Sequence, residues 1–156
     1  STLHDLFRDG LAELSIMAQA CGVTIALGSA PRNESPILNT LSEVWRMHEE
    51  IHSPNLKIML DTWPMSAAGE SIPQWFENCG TEIAHLRFTD ARNDGPRIWG
   101  EGCLPCGRCL EAVFDSDYKG VLSLRLPADR HDVDPETADR RNLEVLNAAI
   151  SAKVLK

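Results

Sequence analysis

Polar residues lie at or near the ends of three short apolar segments in this chain. The segment Leu56–Asp61 ends on a carboxylate, His85 and Arg87 interrupt the next apolar segment, and Arg125 lies near the end of a third. A carboxylate can hold a cation or exchange a proton, whereas a guanidinium binds anions. These four residues are therefore the candidates for a functional site, provided that the segments are strands whose ends meet.

The apolar patterning predicts helices and strands that alternate along the chain. The predicted strands are Val23–Leu27, Leu56–Asp61, Glu82–Phe88 and Val121–Leu126. The predicted helices are Leu3–Cys21, a helix capped by Thr40 and Glu43, Ile72–Cys79, Pro105–Phe114, and a last helix that starts at Pro135. We expect loops from Thr62 to Gly69 and from Asp90 to Gly102, where Gly and polar residues are frequent.

This alternation, at intervals of about thirty residues, predicts an α/β fold with a parallel sheet built from four βα units. The 156 residues suffice for one domain, residues 1–156, and are too few for two. Functional residues in such folds lie at the C-terminal ends of the strands. Those positions here are Gly28, Asp61, Arg87 to Asp90, and Arg125.

The composition excludes several classes of partner. A net charge of −8 argues against nucleic acid and anionic membranes, both of which select clustered Lys and Arg. No apolar stretch approaches the roughly 20 residues of a membrane span. The five cysteines are irregularly spaced, which fits a reducing compartment better than a disulfide framework. We therefore expect a cytoplasmic protein that contacts neither nucleic acid nor membrane.

A series of short motifs resembles a known family. Pro54-Asn55 precedes a strand that ends Leu60-Asp61-Thr62, His85-Leu86-Arg87 is followed by an acidic loop and Gly100-Glu101-Gly102, and Tyr118-Lys119-Gly120 leads into the last strand. Their order and spacing resemble the C-terminal half of the xylose-isomerase-like TIM-barrel family, which includes sugar isomerases and sugar 3-epimerases. That family carries Leu-Asp-Thr-x-His, His-x-His and Gly-x-Gly at these places. The resemblance implies half of a (β/α)8 barrel.

The resemblance also implies a site that this chain has largely lost. The family holds one divalent metal with two Glu, one Asp and one His, and its two Glu move the substrate proton. These four positions correspond here to Gly28, Asp61, Arg87 and Arg125, and the family's substrate-facing His corresponds to Pro64. Only the Asp is kept. We therefore expect no metal, no cofactor and no catalytic residue of the family type, and a binding or structural role.

Asp61, Arg87, Arg125 and His85 are the residues that we expect to bind a ligand. The two arginines would replace the metal with fixed positive charge and bind a sugar or sugar phosphate. In the alternative, the arginines and Asp61 form a closed salt-bridge cluster that only holds the sheet together. A further alternative is an active metal-dependent isomerase or epimerase, completed by a partner chain or a missing N-terminal half.

Two other features bear on function. Cys103, Cys106 and Cys109 form C-x2-C-x2-C, which allows a third hypothesis, a Cys-rich metal-binding α/β domain. Four parallel strands cut from an eight-stranded barrel would expose two edges and an apolar interior. We therefore expect a homo-oligomer, or pairing with another half-barrel, that covers the leading helix and the edge strands near Ile25 and Leu124.

Overall fold

The computed structural model describes residues 2–92, 95–126 and 134–154. Its helices are α1 Leu3–Cys21, α2 Leu41–Ile51, α3 Thr62–Ala67, α4 Ile72–Cys79, α5 Cys106–Asp115 and α6 Pro135–Val154. Its strands are β1 Ile25–Gly28, β2 Leu56–Asp61, β3 Ile83–Phe88, β4 Asp90–Arg92, β5 Gly95–Arg97 and β6 Val121–Leu124. A short 3-10 helix, Gly80–Glu82, joins α4 to β3.

Four strands form one parallel sheet in the order β1-β2-β3-β6. This confirms the α/β class and the four βα units. The strands follow one another across the sheet with helices between them, as in successive units of a (β/α)8 barrel. The edge strands are β1 and β6, as expected.

The two faces of the sheet differ in burial. Leu56, Ile58 and Leu60 alternate along β2, are fully buried, and belong to a core shared with the helices. The residues between them face the other way because side chains alternate along a strand. We call that second surface the open face; its half-buried members include Met59, His85, Arg87 and Ser123.

The loop predicted after Asp61 is wrong, because residues 62–67 form helix α3. Asp61 is the N-cap of this helix, and its Oδ1 accepts a hydrogen bond of 3.1 Å from the Trp63 N–H. A proline in the first helical turn, here Pro64, is compatible with a helix. Six residues are too few to show helical periodicity in the sequence, so the pattern gave no sign of the helix.

The predicted loop Asp90–Gly102 is also partly wrong. It contains an antiparallel pair, β4 and β5, in which Asp90 lies opposite Arg97. Strands of three residues carry no readable alternation. The remaining differences are small: β1 starts two residues later than Val23, α5 starts at Cys106, and β6 ends at Leu124, before Arg125 and Leu126.

The leading helix packs less completely than its pattern predicts. Only Leu11, Ser15 and Ala18 of α1 are buried. An apolar stripe formed by Leu3, Leu6, Leu14 and Met17 is more than half exposed along the same helix. In the part of the chain that is described, no helix combines the length and the apolar character needed to cross a membrane.

Candidate functional site

Asp61 is a buried carboxylate at the C-terminal end of β2. Its side chain is 3% exposed, and one oxygen caps helix α3 through the Trp63 N–H. Burial raises the pKa of this carboxyl, and neither the Trp63 N–H nor the nearby guanidiniums cancel that effect. An ionised Asp61 is therefore costly unless positive charge stays close.

Two arginines supply that positive charge. Arg87 lies opposite Asp61 in the register of β2 and β3, and its Nη1 is 3.8 Å from Asp61 Oδ2. Arg125 follows β6, its backbone N–H donates to the Phe88 carbonyl, and its Nη1 is also 3.8 Å from Asp61 Oδ2. At that distance the charges attract, but the contacts are too long for hydrogen bonds.

Both guanidiniums remain accessible. The Arg87 side chain is 37% exposed and that of Arg125 is 38% exposed. The Arg125 guanidinium also lies 5.2 Å from the centroid of the Trp63 ring, within the range of a cation–π interaction. The buried Trp63 ring therefore packs against the Arg125 guanidinium, whose N–H groups stay available to a ligand.

His85 lies on the same face of β3 as Arg87, two residues earlier. Its Nε2 and the Ser123 Oγ share a hydrogen bond of 2.8 Å whose direction depends on the histidine tautomer. The structure thus brings Asp61, Arg87 and Arg125 together at the C-terminal ends of the strands. His85 lies two residues nearer the start of β3, where it contacts Ser123 of β6.

The remaining positions of the family site carry no suitable side chain. Gly28 ends β1 beside Met59, and a Cβ on it would approach the Met59 Cε at 2.6 Å, so Met59 would have to move before even a small side chain fitted there. Pro64 is buried within α3. Neither residue can offer a ligand or exchange a proton at the sheet edge.

Comparison with known proteins identifies the family. The family model described as "Xylose isomerase-like TIM barrel" matches residues 2–149. The chain belongs to this family. The motif order in the sequence is therefore confirmed as a family relationship, and the fold follows from it.

Curated proteins that resemble the chain include several sugar epimerases. D-psicose 3-epimerase of Enterocloster bolteae is 33% identical over 111 residues, which are 71% of this chain and 36% of that protein. Fructoselysine 3-epimerase of Escherichia coli O157:H7 is 25% identical over 76% of this chain and 44% of its own length. The chain thus spans less than half the length of these relatives.

Solved structures show the same partial overlap. The apo structure of 3-keto-D-glucoside 4-epimerase from E. coli superposes with a TM-score of 0.77 at 22% identity, over 93% of this chain and 53% of that one. D-psicose 3-epimerase with D-tagatose from Clostridium cellulolyticum H10 gives a TM-score of 0.75 at 23% identity, over 92% and 54%. The chain has the fold of about half of such an epimerase.

The donor set of this chain does not fit the divalent metal that the family resemblance implies. The four corresponding positions hold Gly28, Asp61, Arg87 and Arg125, which is one carboxylate with two cations 3.8 Å from it. A hard divalent ion needs several oxygen ligands and is repelled by guanidiniums. These residues therefore cannot hold a divalent ion by themselves.

Sequence reasoning missed three residues that shape the site. Trp63 supports Arg125, Thr62 links the ends of β2 and β3, and Ser123 pairs with His85. Ser123 precedes Arg125 by two residues, so strand alternation alone places it on the same face. Thr62 and Trp63 directly follow Asp61, but a loop was predicted there, so the sequence pattern assigned no fixed position to their side chains.

The cysteine motif lies apart from this site. Cys106 and Cys109 are buried on α5, whereas Cys103 is exposed. Burial raises the pKa of Cys106 to about 12 and raises that of Cys109 as well, so without a metal both are thiols rather than reactive thiolates. Within the described ranges, no group of three His, Cys, Asp or Glu side chains is placed to hold a metal ion.

Proposed function

We propose that this member of the sugar isomerase and epimerase family binds an anionic sugar derivative, such as a sugar phosphate, without isomerising it. The ligand site is formed by Asp61, Arg87, Arg125 and His85. The observation that carries this proposal is the pair of accessible guanidiniums, each 3.8 Å from one buried carboxylate.

Charge favours an anion at this position. Two guanidiniums and one carboxylate leave a local excess of one positive charge, and guanidiniums bind phosphate and carboxylate groups through paired N–H donors. Asp61 sits beneath the arginines and keeps them close together. A ligand anion that contacts both arginines from the open face would neutralise the remaining positive charge.

The contact lengths argue against a closed salt-bridge cluster. A structural Arg–carboxylate cluster is held by hydrogen bonds shorter than about 3.2 Å, whereas both contacts here are 3.8 Å. Each guanidinium is more than one-third exposed, and solvent screens its attraction to the buried Asp61. The arginines therefore offset the buried charge of Asp61 and still expose guanidinium N–H groups to a ligand.

The same residues argue against proton transfer. Epimerisation removes a proton from a carbon and returns one, which requires groups that titrate near neutral pH. Arginine stays protonated in proteins, so Arg87 and Arg125 cannot act as a base. Asp61 is a single carboxylate, already engaged as the cap of α3, and His85 is hydrogen-bonded to Ser123. The site thus lacks the pair of carboxylates with which the family moves a proton.

Calorimetric titration with ribose 5-phosphate tests this proposal. We expect Arg87→Gln and Arg125→Gln each to weaken binding at least about tenfold, since each removes a charge-assisted contact. Arg46→Gln is the matched control, because Arg46 is exposed and pairs only with Glu50 on α2 among the described residues. Equal binding by all three variants, or no binding by the unaltered protein, would contradict the proposal.

We also propose that a second copy of this chain pairs with the sheet. Across the described residues, β1 pairs only with β2 and β6 only with β3, so both outer edges are open. Two sheets of four strands supply the eight strands of a closed barrel, and pairing would cover the open face. Catalysis as in the relatives would require the partner to contribute the missing carboxylates. A second copy cannot do so, because it too has Gly28 and Arg125 at those positions.

A further inference from the structure

The hydrogen bond between His85 and Ser123 is a polar feature of the open face that lies beyond the two arginines and Asp61, and it gives His85 a specific part in the ligand site. It crosses from β3 to β6 diagonally, since His85 lies opposite Val121 and Ser123 lies opposite Arg87. Both side chains are half-buried. Nothing in the pairing of the strands requires it, because the sheet hydrogen bonds are made by the backbone.

Its position relates it to the arginines. Ser123 is level with Arg87, and His85 lies two residues deeper on β3, a distance of about 6.6 Å along a strand. A ligand whose anion contacts Arg87 and Arg125 therefore extends along the open face towards this pair if it is longer than the anion itself.

The chemistry of the pair suits a hydroxyl group. A serine hydroxyl donates one hydrogen bond and accepts others, and a neutral imidazole carries one donor and one acceptor nitrogen. The hydrogen bond between them can run in either direction, depending on the tautomer. A sugar hydroxyl also donates and accepts, so the pair can either donate a hydrogen bond to it or accept one from it. A lysine could only donate, and an ionised carboxylate could only accept.

We propose that His85 and Ser123 form a hydroxyl-binding subsite of the anion site, and that Ser123 is a specificity-determining residue. The ligand class is then a polyhydroxylated anion with a hydroxyl about 6 to 7 Å from its charged group. This inference rests on the proposed function and deepens it, because it sets the orientation of the ligand: anion at the strand ends, hydroxyls along the open face.

A comparison of three probes separates the two proposals. Inorganic phosphate reports on the arginines alone, glycerol 3-phosphate adds a short chain, and ribose 5-phosphate reaches the subsite. We expect the unaltered protein to bind ribose 5-phosphate about tenfold more tightly than phosphate, in keeping with one or two added hydrogen bonds. Glycerol 3-phosphate, whose terminal hydroxyl just reaches the subsite when the chain is extended, should bind more tightly than inorganic phosphate and less tightly than ribose 5-phosphate.

The variant Ser123→Ala should abolish this preference while the affinity for inorganic phosphate stays unchanged. Ser123→Thr keeps a hydroxyl and should retain the preference, and the exposed Ser151→Ala is the matched control. A preference that survives in Ser123→Ala would overturn the inference and leave the anion site intact. Failure of phosphate itself to bind would overturn the proposed function, and the inference with it.

The ring of His85 offers a readout that does not depend on affinity. Its two nitrogens give distinct 15N signals, which shift when a hydrogen-bond partner changes. Ribose 5-phosphate should shift the His85 signals, and inorganic phosphate should leave them in place. Identical shifts with both probes would show that the pair responds to the anion alone and would contradict a hydroxyl-binding role.

Discussion

Thr62 and Thr89 exchange two hydrogen bonds, each 2.8 Å long, between the Thr62 hydroxyl and the Thr89 backbone. Both residues are buried, and Thr62 directly follows Asp61. This link joins the C-terminal ends of β2 and β3 and so holds Asp61 opposite Arg87.

Thr62→Val removes both hydrogen bonds at constant shape. We expect the free energy of unfolding to fall by about 1 to 3 kcal/mol, because a buried N–H and a buried carbonyl lose their partner, and ribose 5-phosphate to bind more weakly. Urea denaturation measures the first effect and calorimetry the second. Thr62→Ser should retain both properties, and Thr81→Val, at an exposed threonine, should change neither; an unaffected Thr62→Val would contradict this role.

Asp61→Asn should change the pH dependence of stability. Burial raises the pKa of Asp61 in the folded protein above its ordinary value of 3.8, so the folded state holds this proton more tightly than the unfolded state. The associated stability is present below the unfolded pKa and is lost as pH rises through the folded pKa. Asparagine has no such proton and still caps a helix. As pH rises through the folded pKa of Asp61, the free energy of unfolding of the variant should therefore fall less than that of the unaltered protein. Urea denaturation at a series of pH values measures this difference.

The same substitution should strengthen anion binding. Removing a negative charge 3.8 Å from both guanidiniums eliminates repulsion of the ligand, worth about 1 kcal/mol or about fivefold in affinity for a half-exposed contact. Calorimetry with inorganic phosphate measures this. Weaker phosphate binding by Asp61→Asn would contradict this expectation and show that the loss of Asp61 as a partner that keeps the arginines together outweighs the relief of repulsion.

Cysteine reactivity tests the metal-binding alternative. Burial raises the pKa of Cys79 and of Cys106 to about 12, whereas Cys21 and Cys103 are exposed. We expect iodoacetamide at pH 8 to label two cysteines rapidly in the folded protein and all five after unfolding, as counted by mass spectrometry. Protection of Cys103 that disappears with a chelator would instead indicate a metal bound by the cysteine motif.

The apolar stripe of α1 should contribute to self-association. Leu14 and Met17 are 54% and 62% exposed and lie on the surface that we expect a second copy to cover, so Lys substitutions there place charges in the interface. We expect the dissociation constant of the dimer, measured by analytical ultracentrifugation, to rise at least about tenfold. Ile16→Lys is the control, since Ile16 is exposed but points to another side of the helix, where successive residues turn about 100°. An unaltered protein that is monomeric at high concentration would contradict the pairing.

Elements with long, regular patterns could be predicted from the sequence. Strand β2 and helices α1 and α4 have the predicted bounds. Helix α1 has 19 residues of periodic apolar pattern, β2 is a largely apolar run between Pro54-Asn55 and Asp61, and α4 ends before Gly80. Helix α3 and the β4–β5 pair were missed because three to six residues are too few for periodicity, and their positions depend on contacts with the sheet.

The site could be predicted only in part. That Asp61, Arg87 and Arg125 meet follows from parallel strands that end at one edge. The 3.8 Å separations, the support of Arg125 by Trp63 and the pairing of His85 with Ser123 depend on strand register and side-chain conformation. Neither is encoded in the spacing of single residues, so these features emerged only with the structure.

The most direct test of the central claim, that two guanidiniums occupy the place of the family's metal, is a Mn²⁺ titration followed by electron paramagnetic resonance. We predict that Mn²⁺ stays free in solution, with or without ribose 5-phosphate, and that a chelator leaves ribose 5-phosphate binding unchanged. One Mn²⁺ bound per chain or per pair of chains, and lost in Asp61→Asn, would contradict the account.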